Sequence, residues 1–276
     1  MSFAPVVPLG GYAGWGFLKR TMAKQQAAFA AAPALKRDED YFRAKIGSIK
    51  TAEDLVSDRR LLKVALGAFG LDADINNRYF IKKVLADGTL DTKDLANRLA
   101  DKQYAAFSSA FGFGDYATPR TQLSDFADKI LSAYKTRQFE MAVGEQNGDM
   151  RLALNAEREL PLLATNTATD NGRWYAIMGN TPLRKVFETA LGLPSSFGSL
   201  DLDQQMTTFR ARAEKMFGSS EVSQFADPKK LDSLMRQFLA RSDSSAGVSL
   251  LTRGAGALQL LQNSQAGYSN MLSRLG

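Results

Sequence analysis

The sequence predicts an all-α fold, built of two pseudo-repeats of about three helices each, a long central helical spine between them, and flexible or docked terminal helices. Three observations carry this. The eleven residues Leu61 to Leu71 (LLKVALGAFGL) are echoed at Leu183 to Leu193 (LRKVFETALGL), the mark of a duplicated supersecondary unit. Both copies place apolar residues at i, i+3, i+4, i+7 and i+8: Leu61, Val64, Ala65, Ala68 and Phe69, then Leu183, Val186, Phe187, Ala190 and Leu191. That spacing is one buried stripe of a helix. Strand signals are absent, with no alternating run of valine, isoleucine and threonine and no Asn-Gly hairpin between such runs.

In chain order, Trp15 to Ala32 reads as a helix stopped near Pro33, and residues 1–37 as a glycine-rich, basic N-terminal segment. The helical body spans 38–241, with short pieces at Asp40 to Ile49 and Ala52 to Val56. Repeat one covers about 58–113, with helices at Leu61 to Phe69, Ile75 to Leu85 and Thr92 to Phe111. Repeat two covers about 180–241, with helices at Leu183 to Leu191, Asp203 to Phe217 and Lys229 to Ala240. Asp58 and Asn180 stand three residues before the echoed runs as N-caps, and Gly70-Leu71 and Gly192-Leu193 follow as glycine stops. Leu99-Ala100-Asp101 pairs with Phe225-Ala226-Asp227 once four residues are inserted. Between the repeats, residues 121–165 carry apolar Leu123, Phe126, Ile130, Tyr134 and Met141, then Leu152, Leu160 and Leu163. A break signal falls at Asn147-Gly148-Asp149 and a kink or end at Pro161. Residues 242–276 read as a small-residue linker and an amphipathic C-terminal helix.

Composition narrows the chemistry. With 276 residues, 45% of them hydrophobic, the chain is long enough for one large or two small cores. It has no cysteine and no histidine, which excludes disulfides, thiol chemistry, the usual zinc sites and the commonest general base. No cofactor is implied. The net charge of +6 is mostly a terminal feature, since residues 1–37 hold Lys19, Arg20, Lys24, Lys36 and Arg37 and no acid. No basic stripe with interleaved aromatics runs through the body, so nucleic acid is not the expected partner. Met1 to Leu18 is uncharged but lacks a positive n-region and holds Pro5, Pro8 and four glycines. It reads as neither signal peptide nor anchor, and no other segment is long and apolar enough to span a bilayer.

Candidate sites are weak. Asp87-Gly88-Thr89-Leu90-Asp91-Thr92-Lys93-Asp94 has the look of half a calcium loop, but Arg98 stands where the bidentate glutamate belongs. It reads as a turn and an acidic helix start. Gly10, Gly11, Gly14 and Gly16 follow no strand and match no phosphate-binding fingerprint. Glu140, Glu145, Glu157 and Glu159 cluster on the spine with Arg137, Arg151 and Arg158 interspersed. Ion pairs at helical spacing explain the cluster more simply than paired catalytic carboxylates do. No catalytic, metal or cofactor-binding residues are therefore assigned. The chain ends carry partner-binding candidates at 3-4-3-4 spacing: Trp15, Leu18, Met22 and Phe29 with Gln25 among them, and Leu258, Leu261, Tyr268, Leu272 and Leu275 with Gln265. Such seams pair with each other, with another chain, or lie on the body.

Five stretches carry a family resemblance: PLGGYAGWGFL from Pro8, AEDLVSDRRLLKVALGAFGL from Ala52, LANRLADKQYAAFSSAFGFG from Leu95, RQFEMAVGEQNGDMRLALNAEREL from Arg137 and LGLPSSFGSLDLDQQ from Leu191. Through them the chain resembles a family of bacterial proteins, domain of unknown function twelve-seventeen, whose genes tend to lie among flagellar genes. The resemblance implies an association with motility and supplies no catalytic or binding residues. The expectation is a non-enzymatic structural or interaction protein of flagellum assembly, with a flagellar protein partner, either cytoplasmic or exported to the flagellum. A cytoplasmic assembly factor or chaperone is the alternative, and a carboxylate-dependent hydrolase a further one, which requires the spine glutamates to line one pocket. The acid-free N-terminal segment, read as flexible and unanchored, suits an uncleaved export signal.

Overall fold

A computed structural model describes residues 3–243, and every regular element among them is helical. The α-helices are α1 (Gly11–Ala30), α2 (Pro33–Lys45), α3 (Ala52–Ser57), α4 (Arg59–Phe69), α5 (Arg78–Asp87), α6 (Leu95–Arg98) and α7 (Gln103–Phe111). They continue with α8 (Phe126–Gln146), α9 (Gly148–Thr165), α10 (Asp170–Gly179), α11 (Thr181–Ala190), α12 (Leu202–Phe217) and α13 (228–243). Pro33 occupies the first turn of α2, where its missing N–H costs nothing. Among the described residues no helix is long and apolar enough to cross a membrane.

The echoed helices, α4 and α11, start and stop by the same chemistry. The Asp58 carboxylate accepts the N–H groups of Arg60 and Leu61 at 2.9 and 3.1 Å, and the Asn180 amide oxygen accepts that of Leu183 at 3.0 Å. Each cap satisfies donors that a helix start leaves open. At the other ends, Gly70 and Gly192 have φ of +74° and +65°, backbone that glycine adopts without strain. The N–H groups of Leu71 and Leu193 then reach back to the carbonyls of Leu66 and Glu188 at 3.0 and 2.9 Å, closing a Schellman motif. A 3-10 turn follows each helix, Asp72–Asn76 in one half and Ser195–Ser199 in the other. Further on, the Asp101 and Asp227 carboxylates accept from the N–H groups of Gln103 and Lys229 at 2.8 and 2.9 Å.

Two hydrophobic cores result. The first gathers α2 to α5, α7 and the N-terminal half of α8, with Leu61, Leu62, Val64 and Ala65 of α4 at its centre. The second gathers α1, the C-terminal half of α8 and α9 to α13, around Leu183, Val186, Phe187 and Ala190 of α11. Each contains an aromatic cluster: Phe69, Phe107, Phe111 and Phe126 in edge-on contacts in the first, and Trp174 against Phe187 and Phe209 in the second. Helix α8 belongs to both. Phe126, Ile130, Leu131 and Tyr134 enter the first core, while Phe139 and Val143, further along the same helix, enter the second. Phe29 packs against both cores and meets Phe139 edge-on at 5.8 Å.

Three expectations need correction. Residues 92–111 form two helices: Asn97 donates to the carbonyls of Thr89 and Asp91, the Asp101 carboxylate accepts from the Gln103 N–H at the start of α7, and these side-chain bonds compete with a continuous helix. The central stretch is a hairpin and no spine. Asn147 takes extended backbone (φ −151°, ψ 106°) and caps α9 through Met150, so α9 turns back along α8. Gly144 permits the close approach, because a Cβ there would fall 2.6 Å from Arg151 Cδ. Of the kink or end read at Pro161, the end does not occur, since α9 runs on to Thr165.

The N-terminal segment is anchored, contrary to the sequence reading. The Gln25 amide, on the buried face of α1, accepts the Val6 N–H at 2.6 Å and donates to the Val6 carbonyl at 3.1 Å. Gln146, at the end of α8, accepts the Val7 N–H at 3.2 Å and donates to the Pro5 carbonyl. Two side-chain amides thus stand in for a neighbouring strand along residues 5–7.

Candidate functional site

An extended concavity lies where the two cores meet, along one face of α8. Residues Asp128, Lys129, Ser132, Ala133, Thr136, Arg137, Glu140, Met141 and Gly144 recur at the four-residue spacing of a single helical stripe and line cavities of 670, 290 and 480 Å³. Arg137 borders all three. One wall is α9, through Arg151, Asn155, Glu159 and Leu162. The other comes from α4 and α7, through Phe69, Gly70, Gln103 and Ala106, with Asn180 and Leu183 of the α10–α11 junction closing the middle. Leu162 is 66% exposed at this groove, beside the partly buried Phe69 and Leu163.

A charge network crosses the groove between α8 and α9. Arg158 donates two hydrogen bonds to the Glu140 carboxylate, at 2.8 and 2.9 Å, and a third to the Asn155 amide oxygen at 3.0 Å. It also pairs with Glu159, which accepts from Arg137 at 3.1 Å. Both arginines are pushed down by burial. For Arg158 the hydrogen bonds and charges of Glu140 and Glu159 together outweigh burial and the net direction is upward. For Arg137 burial and then repulsion from Arg158 prevail, and its value falls, though a guanidinium stays charged in a protein. Two cations thus face two anions. The Asn155 Nδ2 is buried without a partner, on the side chain that borders the 480 Å³ cavity.

Of the spine glutamates, Glu140 and Glu159 border adjoining cavities of the groove and share Arg158, Glu145 is exposed, and Glu157 pairs with Lys19 at 2.5 Å beside Trp15. Ion pairing explains the cluster, as the sequence suggests, but the buried pairs join α8 to α9 across 18 and 22 residues and do not follow one helix. The Asp87–Asp94 stretch is a turn. Gly88 has φ +84°, and the Asp115 carboxylate accepts from Thr89 and Leu90 N–H groups at 2.6 and 3.2 Å. Among the described residues no group of three or more acids is placed to hold a metal ion.

The N-terminal partner-binding candidates lie on the body of their own chain. Trp15 and Leu18 are 3% and 0% exposed, and Met22 and Phe29 pack against the second core. Helix α1 is therefore docked, and this seam is not a free face. The second series, Leu258, Leu261, Tyr268, Leu272 and Leu275, lies outside the described residues. Sequence reasoning missed the groove. The signal was the run of small and polar residues Ser132, Thr136, Glu140, Gly144 and Gly148 at four-residue spacing.

A family model described as "Protein of unknown function (DUF1217)" matches residues 68–231, which include both echoed helices in whole or part, the α8–α9 hairpin and the groove. The X-ray crystal structure of a protein from Agrobacterium tumefaciens, a structural genomics target, is similar to the chain with a TM-score of 0.70. The two share 25% identity, and the alignment covers 87% of this chain and 98% of that one. Among curated proteins, none matches.

Proposed function

Given that the chain belongs to the DUF1217 family of proteins of unknown function, we propose that it is a non-enzymatic interaction protein of bacterial flagellum assembly, whose α8 groove receives a helix of a flagellar partner. The single observation behind this is the character of the groove. It is long and open, bordered by apolar Phe69, Leu162 and Leu163, and its central charges are satisfied by one another. Grooves that receive an amphipathic helix share this build, an apolar wall with a charged rim. A catalytic pocket needs titratable groups whose environments push them apart, whereas here the two groove carboxylates each hold a guanidinium. The flagellar assignment comes from the gene association that the family resemblance implies. It covers both an exported component and one that stays in the cytoplasm.

The test is a strain whose sole copy carries Leu162→Asp. Leu162 is 66% exposed, so stability should change by less than about 0.5 kcal/mol, while swimming falls and co-purification with a flagellar component is lost. A folded variant that swims and retains its partners as the parent does would overturn the proposal.

A further inference from the structure

The Asn155 amide is incomplete, and Asn155 borders the 480 Å³ cavity beside the Asn147 turn. The residue is 7% exposed. Its Oδ1 accepts from Arg158 at 3.0 Å, so exchanging oxygen and nitrogen would set Nδ2 against a guanidinium that can only donate. The orientation of the amide is thereby fixed. Arg158 lies on the side of the neighbouring 670 Å³ cavity, which leaves Nδ2 turned toward the 480 Å³ one. A buried donor without an acceptor is costly and rare in a native fold, and a ligand that brings the acceptor removes the cost.

The same cavity has further unmatched groups, of both signs. Arg151, one helical turn before Asn155 on α9, is exposed and pairs with no acid among the described residues. Arg137 faces them from α8, and because burial and then repulsion from Arg158 lower its value, its charge is under-compensated. Two guanidiniums beside an amide donor suit a carboxylate. The acids of the cavity are Glu140, Asp72 and Asp149. Glu140 is taken by Arg158. Asp72 accepts from the Gln138 amide at 3.0 Å, Asp149 stands in the first turn of α9, and neither pairs with a cation among the described residues. A simple anion would meet these two as like charges, whereas a ligand with both a carboxylate and an ammonium matches both sets. Met141 and Leu152 add an apolar wall, and a concave space of this size with a few placed polar groups is the build of a small-molecule site.

We propose that this cavity binds a free aliphatic amino acid, with its carboxylate on Asn155 Nδ2 and the guanidiniums of Arg137 and Arg151, its ammonium toward Asp72 and Asp149, and its side chain against Met141 and Leu152. Bound there, it bridges the α8–α9 hairpin and the 3-10 turn that follows α4. The site goes beyond the helix-binding reading of the groove and does not depend on it.

Calorimetric titration of the full chain tests this with L-leucine as the probe. Two controls are isocaproate, which is leucine without its ammonium, and isoamylamine, which is leucine without its carboxylate. L-leucine should saturate with a Kd of about 1 mM or tighter, and each truncated compound should bind about tenfold more weakly or not at all. Arg151→Gln changes an exposed side chain, and Asn155→Asp keeps the shape and the Arg158 bond while turning the donor into an acceptor. Each should weaken L-leucine about tenfold with the helical circular dichroism unchanged, and Arg151→Gln alone decides should Asn155→Asp fail to fold. No saturation by about 10 mM, isocaproate bound as tightly as leucine, or full affinity in the folded variants would overturn the assignment. None of these results bears on the groove as a helix site, which the swimming test decides.

Discussion

Replacing Arg158 by Met tests what the α8–α9 network contributes. Glu140 has a side chain 9% exposed and takes both charge-assisted hydrogen bonds of its carboxylate from Arg158, at 2.8 and 2.9 Å. Glu159 keeps Arg137 at 3.1 Å in the variant, so the penalty concentrates on Glu140. Breaking a buried pair by removing one partner costs about 3–5 kcal/mol, because the remaining charge stays buried. At this size the melting temperature should fall by on the order of 10 °C. The double variant Arg158→Met/Glu140→Leu should recover to within about 1 kcal/mol of the parent. Urea titrations measure both variants. A single-variant loss under about 1 kcal/mol, or a double variant no better than the single, refutes the argument.

Asp58→Asn keeps the cap but removes its charge. Burial raises the Asp58 carboxyl, yet the Tyr41 hydroxyl and the Leu61 and Arg60 N–H groups outweigh it and hold it below the usual value. A depressed folded value contributes stability above the unfolded pKa that is lost as pH falls through the folded one, so the variant should lose stability less steeply on acidification below about pH 4; equal slopes would count against this. Gly70→Ala and Gly192→Ala, at φ of +74° and +65°, should each cost about 1 kcal/mol or more; chemical denaturation checks both, and a loss near zero at either would count against the left-handed stop. Gln25→Leu removes both bonds to Val6, so hydrogen exchange in residues 3–9 should quicken about tenfold, and unchanged exchange would show that the amides do not hold the segment.

What was legible in the sequence was local. Asp58, Asn180, Gly70 and Gly192 act on backbone groups within a few residues, so spacing alone revealed both echoed helices. The break at Asn147 was also visible, but the direction α9 takes depends on Arg158 meeting Glu140 across 18 residues and on the small Gly144. The apolar face of α1 could be read from Trp15 and Leu18, but not what covers it, since a seam looks the same against a partner or its own core. The anchoring of residues 5–7 was silent, because Gln25 and Gln146 bond across 19 and 141 residues and an isolated glutamine advertises no partner. The groove assembles from α4, α7, α8, α9, α10 and α11. The small and polar stripe of α8 was its trace in the sequence, and a polar stripe is also what an ordinary solvated face presents.

Photo-crosslinking from position 162 in swimming cells tests the central claim most directly. A groove that receives a partner helix predicts adducts from position 162 to a flagellar component. A crosslinker at 162 that captures no flagellar component, in cells that swim normally, would contradict it.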